Sequence, residues 1–423
     1  MHITYLHQYF NTPSMSGGTR SFEMARRLAE SGHVVNMITS WRAGDGRTDW
    51  FTTEESGVCV HWLPVPYSNH MSYAERIRAF FRFAFHAARR AGSIEADLVF
   101  ATSTPLTIAL PAIYAAGRQR APMVFEVRDL WPELPIAMGA IRHPMVKGAA
   151  RALERWAYRN SEAVVALSPG MRDGVMKTGF PAERIAVIPN GSDTEIFGGR
   201  TAEGEYFRAS RPWLGKRPLL LYPGTFGKVN GVGYLVDLAK SLKKKGSEVR
   251  ILLIGDGAEK QAVLKYARSA GVLGDNLFVE DALPKSEMPS LFAAANVIVS
   301  LCIDLPELRA NSANKFFDAL AAGKPCMLNY GGWQAELVNS NDAGLVTWGL
   351  TVDDAADLVA SHISDSNWVS RTGLNAQKLA ITYFDRNILA DQFIAVLDRA
   401  SSRNGVASLG IAPGVYPPLE NAT

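Results

Sequence analysis

Cysteine is scarce in this chain: Cys59, Cys302 and Cys326 are its three thiols in 423 residues, and all lie in apolar, strand-like settings. Three cysteines so placed build neither a disulfide framework nor a zinc site, and they suit core positions in a reducing compartment. Long apolar runs are missing as well. No window of about 18 uninterrupted apolar residues occurs, which excludes an ordinary membrane-spanning helix. Met1-His-Ile-Thr-Tyr opens into a strand without a basic and apolar leader, so the expected location is cytoplasmic. Neither sign of charge dominates: the net charge is +3, with no interleaved aromatic and basic RNA-binding pattern, and nucleic acid is not an expected partner. Asp-x-Asp, the carboxylate pair that holds a divalent cation on a nucleotide diphosphate, does not occur, and the eight histidines show no ligand spacing. The expected chemistry needs no metal. The G-x-G-x-x-G fingerprint and the P-loop are also absent, which weakens dehydrogenase and nucleoside-triphosphatase readings.

What is present is the composition of a globular protein, 47% hydrophobic and 20% charged, at a length that suits two domains. Apolar runs alternate with helical segments: Ile3-Leu6, Val34-Ile38, Val58-Leu63, Leu98-Ala101, Met123-Val127, Ala163-Leu167 and Ile185-Ile188. Continuous runs of this kind form parallel strands covered on both faces. A turn cluster follows, Pro189-Asn190-Gly191-Ser192-Asp193, and the polar, aperiodic stretch to Arg217 reads as an interdomain linker. The alternation resumes at Leu219-Tyr222, Arg250-Ile254, Leu277-Val279, Val297-Ser300, Cys326-Leu328 and Leu345-Thr347. The fold class is therefore α/β, with two doubly wound Rossmann-like domains expected over residues 1–195 and 196–385. A helix over 386–400, with Ile388, Leu389, Phe393, Ile394 and Leu397 on one side, lies beyond the last strand, and 401–423 reads as a flexible tail.

The stretch Asn311 to Pro325 reads as a short helix that faces a ligand. Ser312 and Asn314 precede Phe316, Phe317, Leu320 and Ala321, and Gly323 with Pro325 closes the run. The first amides of a helix carry partial positive charge that suits a phosphate, and Lys315 stands beside them. Asp318, three residues on, shares the face of Lys315 and suits a ribose diol, so the pair suggests a nucleotide-sugar site. The same spacing also describes a solvated i,i+3 pair on an ordinary helix, and these residues alone leave both readings open. Two glycine-bearing loops follow the first strand of each half. Gly17, Gly18 and Arg20 form one, which reads as a ligand loop or as a plain tight turn. The other runs from Pro223 to Gly231 through Thr225, Lys228 and Asn230, with Lys228 either a phosphate cation or a solvated lysine. Gly255-Asp256-Gly257 reads chiefly as a sharp strand-to-helix turn.

In this order the motifs resemble those of the GT-B-fold glycosyltransferases of the family-4 retaining type. The resemblance is carried by Gly17-Gly18-Thr19-Arg20 with Glu23, Val187 to Asp193 with Phe197, the Gly224 to Gly231 loop, Leu253 to Gly257, and Asn314-Lys315-Phe316-Phe317-Asp318 with Ala321 to Pro325. It covers roughly Met1 to Ala400, and its specificity lies in the ordered set. Glu126-Val127-Arg128-Asp129-Leu130-Trp131-Pro132-Glu133 further resembles a branch acting in O-antigen and capsule assembly, including N-acetyl-L-fucosamine transferases.

The resemblance implies two Rossmann-like domains facing across a cleft, the first for the acceptor and the second for a nucleotide-sugar donor. That donor is a co-substrate, and no cofactor is implied. Position by position, Asp318 matches the ribose-binding Glu, and Lys315 with the amides of Ser312 to Asn314 matches the diphosphate cradle. Lys228 or Asn230 stands where basic phosphate ligands are kept, and Ala282-Leu283 matches the segment beside the base, expected to be uracil. Arg128-Asp129 lies where relatives have a His-Asp pair. The expected catalytic set is then Asp129, to orient or deprotonate the acceptor hydroxyl, with Arg128, Lys315 and, more weakly, Glu126. Two departures concern the sugar and the phosphates: Ala310 and Asp318 replace the family's paired glutamates, and Asn230 replaces the commoner lysine.

Tyr73 to Arg90 interleaves basic residues with four phenylalanines, which reads as a peripheral membrane surface suited to a polyprenyl-diphosphate-linked saccharide acceptor, or as a core-facing helix with a solvated arginine face. The expected function is retaining transfer of an N-acetylated hexosamine or deoxyhexosamine, UDP-linked, in bacterial surface polysaccharide synthesis at the cytoplasmic face of the inner membrane. The alternatives on the same architecture are a sugar-nucleotide 2-epimerase, a sugar phosphorylase and a non-catalytic sugar-nucleotide-binding subunit.

Overall fold

Continuous strands rich in Val, Ile, Leu and Phe have to be covered on both faces, and the computed structural model shows this arrangement twice. It describes residues 1–15, 17–67 and 71–402; the tail expected over 401–423 lies, from residue 403 on, outside the described residues. The chain divides into two units, Met1–Pro189 with the chain from Asn387 onward, and Asn190–Arg386.

The first unit carries β1 (His2–Leu6), β2 (Val34–Trp41), β3 (Phe51–Glu55), β4 (Val58–Pro64), β5 (Leu98–Thr102), β6 (Met123–Val127), β7 (Ala163–Ala166) and β8 (Ile185–Val187). Their order in the sheet is β3-β4-β2-β1-β5-β6-β7-β8. Every residue of β5, β6 and β7 is buried. The strand order reverses beside β1, which pairs in parallel with both β2 and β5. His7, Ser103 and Arg128 therefore follow the carboxyl ends of β1, β5 and β6 at the kind of switch point where open α/β sheets bind ligands. One strand was not foreseen. β3 is antiparallel to β4 and half-exposed, and alternation rather than a continuous run is the signature of such an edge.

The helix Arg386–Ser401 belongs to this unit from Asn387 on. Leu389, Ala390, Phe393, Val396, Leu397 and Ala400 enter the core of the first sheet, and the Phe393 ring meets Phe100 edge-on at 4.8 Å. Ile388, expected on the buried side, is 38% exposed.

The second unit carries β9 (Leu219–Pro223), β10 (Arg250–Ile254), β11 (Leu277–Glu280), β12 (Val297–Ser300), β13 (Cys326–Leu328) and β14 (Gly344–Val346). All pair in parallel, in the order β11-β10-β9-β12-β13-β14. The stretch before β9, read above as a linker, is corrected here. Thr201–Ala209 is a helix, and Gly204 lies so close to the helix Met288–Ala294 that a Cβ there would stand 2.7 Å from the Ala293 carbonyl carbon. Trp213 stacks on Phe278 at 3.7 Å. These residues are part of the second unit, whose first residue is Asn190, earlier than the boundary after residue 195 drawn from the sequence.

Candidate functional site

In the second unit the loops after β9 and β10 lie backbone on backbone. Gly224 N donates to the Ile254 carbonyl at 2.8 Å, and Phe226 N to that of Asp256 at 2.9 Å. Gly257 sits at φ +152°, where a Cβ would come within 2.5 Å of the Phe226 carbonyl oxygen, so glycine is needed there to seat the Pro223–Gly231 loop. Lys228 is exposed at the start of a short 3-10 turn, Lys228–Asn230, with Thr225 exposed and Asn230 half-buried beside it. Ala282 and Leu283 follow the carboxyl end of β11, the first exposed and the second half-buried.

Lys315 reaches into this edge. The helix Asn314–Ala321 delivers it, and its Nζ lies 3.3 Å from the Tyr222 hydroxyl and 4.5 Å from the centroid of that ring. A Cβ on Gly224 would stand 2.7 Å from the same nitrogen, so the glycine makes room for the ammonium. No carboxylate pairs with Lys315 among the described residues. Burial lowers its pKa to about 8, opposed by the nearby Cys302. A half-buried cation resting on an aromatic face without a counterion is chemically a receptor for an anion. This is not the solvated helix face that the spacing also allowed.

Two details of that helix differ from the sequence reading. Ala313 is its N-cap and no side chain caps it. Ser312 is buried and engaged elsewhere: its hydroxyl accepts from Asn190 N at 3.2 Å, and its carbonyl from Asn190 Nδ2 at 2.6 Å. Asn314 is exposed. Asp318 Oδ1 accepts from Ser192 Oγ at 2.7 Å. The turn cluster around Asn190 and Ser192 thus braces both the entry to the helix and its carboxylate. Sequence reasoning identified that cluster as a motif but not its purpose, and it missed Tyr222, whose apolar strand gave no hint of its hydroxyl's role. Beyond Cys302, whose thiol accepts from Asn311 Nδ2 at 3.5 Å, an open pocket of about 510 Å³ is lined by Tyr234, Asn329, Thr347 and Trp348 among others.

In the first unit two expectations are corrected. Arg20, read as charge for a ligand, is 4% exposed and donates through Nε and Nη2 to Glu126 Oε1 at 3.0 and 2.9 Å. Its remaining donors go to the carbonyls of Ile188 and Pro189. Glu126, the weaker catalytic candidate, is fully buried and also accepts from Thr102 Oγ1 at 2.6 Å. The pair is an internal clamp between β5, β6 and the end of β8, because two buried charges satisfy each other and leave neither for substrate. Gly17 and Gly18 are exposed, and the Gly18 carbonyl accepts from Asn11 Nδ2 at 3.2 Å.

Arg128 and Asp129 are half-buried just past β6. Arg128 N donates to Ser103 Oγ at 3.0 Å, and Asp129 Oδ2 accepts from Thr104 Oγ1 at 3.2 Å. Desolvation raises the Asp129 pKa above the usual carboxylate range, against the opposing pull of Arg128 and the Thr104 bond. A carboxylate so raised is a better proton acceptor than an ordinary surface aspartate.

Two parallel-sheet units with polar loops at the carboxyl ends of their strands define the class: this is the two-domain α/β fold of the GT-B glycosyltransferases. The domains can then be named. Residues 17–191 match the family described as a glycosyl transferase 4-like domain, and residues 205–379 that of glycosyl transferases group 1, so the chain is built of one domain of each. It is 25% identical over 275 residues to the GDP-mannose-dependent alpha-(1-6)-phosphatidylinositol monomannoside mannosyltransferase of Mycobacterium tuberculosis, covering 63% of this chain and 66% of that one. The chain thus spans 66% of the length of that curated relative. Among solved structures, sucrose-phosphate synthase from Thermosynechococcus elongatus superposes with a TM-score of 0.76 at 16% identity, over 94% of this chain and 98% of the other. Anabaena HepE (Alr3699) in complex with UDP superposes at 0.70 and 16% identity, over 94% and 100%. Among the described residues no helix is long and apolar enough to cross a membrane.

Proposed function

We propose that this protein is a retaining glycosyltransferase that moves a sugar from a UDP-linked donor to a lipid-linked saccharide acceptor. The observation that carries the reading is the Lys315 ammonium, held on Tyr222 beside Gly224 and, among the described residues, without a carboxylate ion-pair partner, with Asp318 less than a turn further along the same helix. Lys315 and Lys228 take the diphosphate, Asp318 the ribose, and Ala282-Leu283 the base. The pocket beyond Cys302 offers hydroxyl, amide and indole groups suited to a hydroxylated ring. As the glycosidic bond to the diphosphate breaks, negative charge grows on the leaving phosphate and the cations stabilise it. Asp129 orients or deprotonates the acceptor hydroxyl, its raised pKa matching that task. The choice of UDP is supported by the named UDP complex of a protein with the same fold, while the name of the mycobacterial relative points to GDP. The choice of an N-acetylated hexosamine or deoxyhexosamine, and of surface polysaccharide as product, rests on the stretch Glu126 to Glu133.

The lipid-linked acceptor has support in the helix Tyr73–Gly92. Ala79, Phe83, Ala84, Ala87 and Ala91 face the core, whereas Ile77, Phe81 and Phe85 form an exposed stripe, 52 to 56% accessible, flanked by Arg78, Arg82 and Arg89. Such a face suits an anionic bilayer. The test is transfer of radiolabelled sugar from UDP-N-acetylhexosamines to a polyprenyl-diphosphate saccharide, with the anomeric configuration of the product read by NMR. Acceptor-dependent product with retained configuration is expected. Turnover of donor without acceptor would replace the proposal with an epimerase, and binding without turnover with a non-catalytic subunit.

A further inference from the structure

The ligand edge of the first unit carries a second cation cluster that the donor chemistry does not use. Arg42 stands just past β2 and Arg128 just past β6, both half-buried, and among the described residues neither forms an ion pair. They converge on the segment after β1. Arg128 Nη1 lies 3.4 Å from His7 Nε2, while the Arg42 guanidinium bonds to Asn11 Oδ1 and lies 5.9 Å from the Tyr9 ring centroid. Because Arg128 donates to Nε2, the His7 proton is on Nδ1, and that atom is buried with no partner, as is the whole Gln8 side-chain amide. Burial first, then Arg128 and Arg42, holds His7 well below its ordinary pKa and therefore neutral. Burial likewise weighs against the charge of Arg42, eased only by the phenols of Tyr9 and Tyr67. Asp129 adjoins Arg128 in sequence but turns to Thr104.

Arg128 on a neutral imidazole and the desolvated Arg42 on an amide and a phenol ring bring two positive charges to one segment, with Asp129 the carboxylate that acts on Arg128, an arrangement that a further anion completes. Planar guanidinium forks match phosphate oxygens, and the neutral His7 holds the Arg128 fork from Nε2. We propose that Arg42, Arg128 and His7 form a binding site for the phosphate or diphosphate group of the acceptor. This rests on the glycosyltransferase reading for the word acceptor, but the anion site stands on its own geometry.

The test titrates inorganic pyrophosphate into the full-length protein with UDP present in excess to fill the donor site, comparing wild type, Arg42→Gln and the double variant Arg42→Gln/Arg128→Gln. Repeating it in a Lys315→Ala background without UDP separates the two readings, since loss of UDP binding concerns the donor site alone. The expected result is saturable binding that weakens about tenfold or more in Arg42→Gln and disappears in the double variant. Pyrophosphate should also raise the melting temperature of the wild type and not that of the double variant, which checks that the variants fold. Geranyl diphosphate and glucose 1-phosphate then distinguish the sources: preference for the first assigns the group to a lipid-linked acceptor, preference for the second to a soluble sugar phosphate, and either supports the site. Absence of pyrophosphate binding in wild type, or equal binding by the double variant, overturns it.

Discussion

The Lys315 ammonium has a pKa of about 8 because burial opposes its charge, and this fixes a pH dependence with a definite sign. Below pH 8 the side chain is charged and attracts a diphosphate; above it the attraction is lost, while bound diphosphate itself favours the protonated form. UDP affinity measured by calorimetry should therefore fall as pH rises through 8 to 9, with a proton taken up on binding in that range. Lys315→Ala should bind about ten- to a hundredfold more weakly at pH 7, the range of a charge-assisted hydrogen bond, and should show no fall across the same window. Arg20 and Glu126 show the opposite use of charge. They stand 106 residues apart in sequence and close on each other in the core. Neither residue's neighbours announce that pairing, so Arg20 read as charge for a ligand and Glu126 as a weaker catalytic candidate. Lys315 and Asp318 were legible because a helix places its own residues three apart on one side, whereas contacts across the sheet are set by strand order.

At the level of elements, the strands buried on both faces were readable because a continuous apolar run of four to eight residues between turn signals has few other uses. β3 was not, since four of the five residues of Phe-Thr-Thr-Glu-Glu are polar and the strand pairs only along an edge. The helix Thr201–Ala209 escaped for a related reason: Gly204 and Phe207 are its buried residues, too few to write a stripe. The loops after β9 and β10 were legible as glycine-rich but not as mutually packed. Gly257→Ala should displace the Pro223–Gly231 loop, because the added Cβ meets the Phe226 carbonyl oxygen and the backbone is strained for any other residue. The expected result is UDP binding weakened by about tenfold or more with the core intact, read by calorimetry beside a far-UV melting curve. Unchanged affinity would show that the loop does not hold the diphosphate.

Across the whole molecule, the chain leaves the first unit after Pro189, builds the second, and returns with the helix Arg386–Ser401 to complete the first core. Folding of the first unit therefore needs the far end of the chain. Phe393 is fully buried against Phe100, and Phe393→Ala should cost about 3–5 kcal/mol, measured by denaturant unfolding of the first unit. UDP binding, which the account assigns to the second unit, should survive that change at temperatures where the variant remains folded. The repeated α/β pattern and the last helix were visible in sequence; the clamp of Asn190 and Ser192 on the Asn314–Ala321 helix was not, because it joins a turn to residues more than a hundred positions away.

The most direct measurement is a calorimetric titration of UDP-, GDP- and dTDP-sugars against the wild type and Asp318→Ala. Selective binding of a UDP-sugar is expected, weakened more than about tenfold by the substitution, which removes the carboxylate that also accepts from Ser192. Absence of binding by every member, or equal binding by the variant, would contradict it and take the Asn314–Ala321 helix out of the donor site.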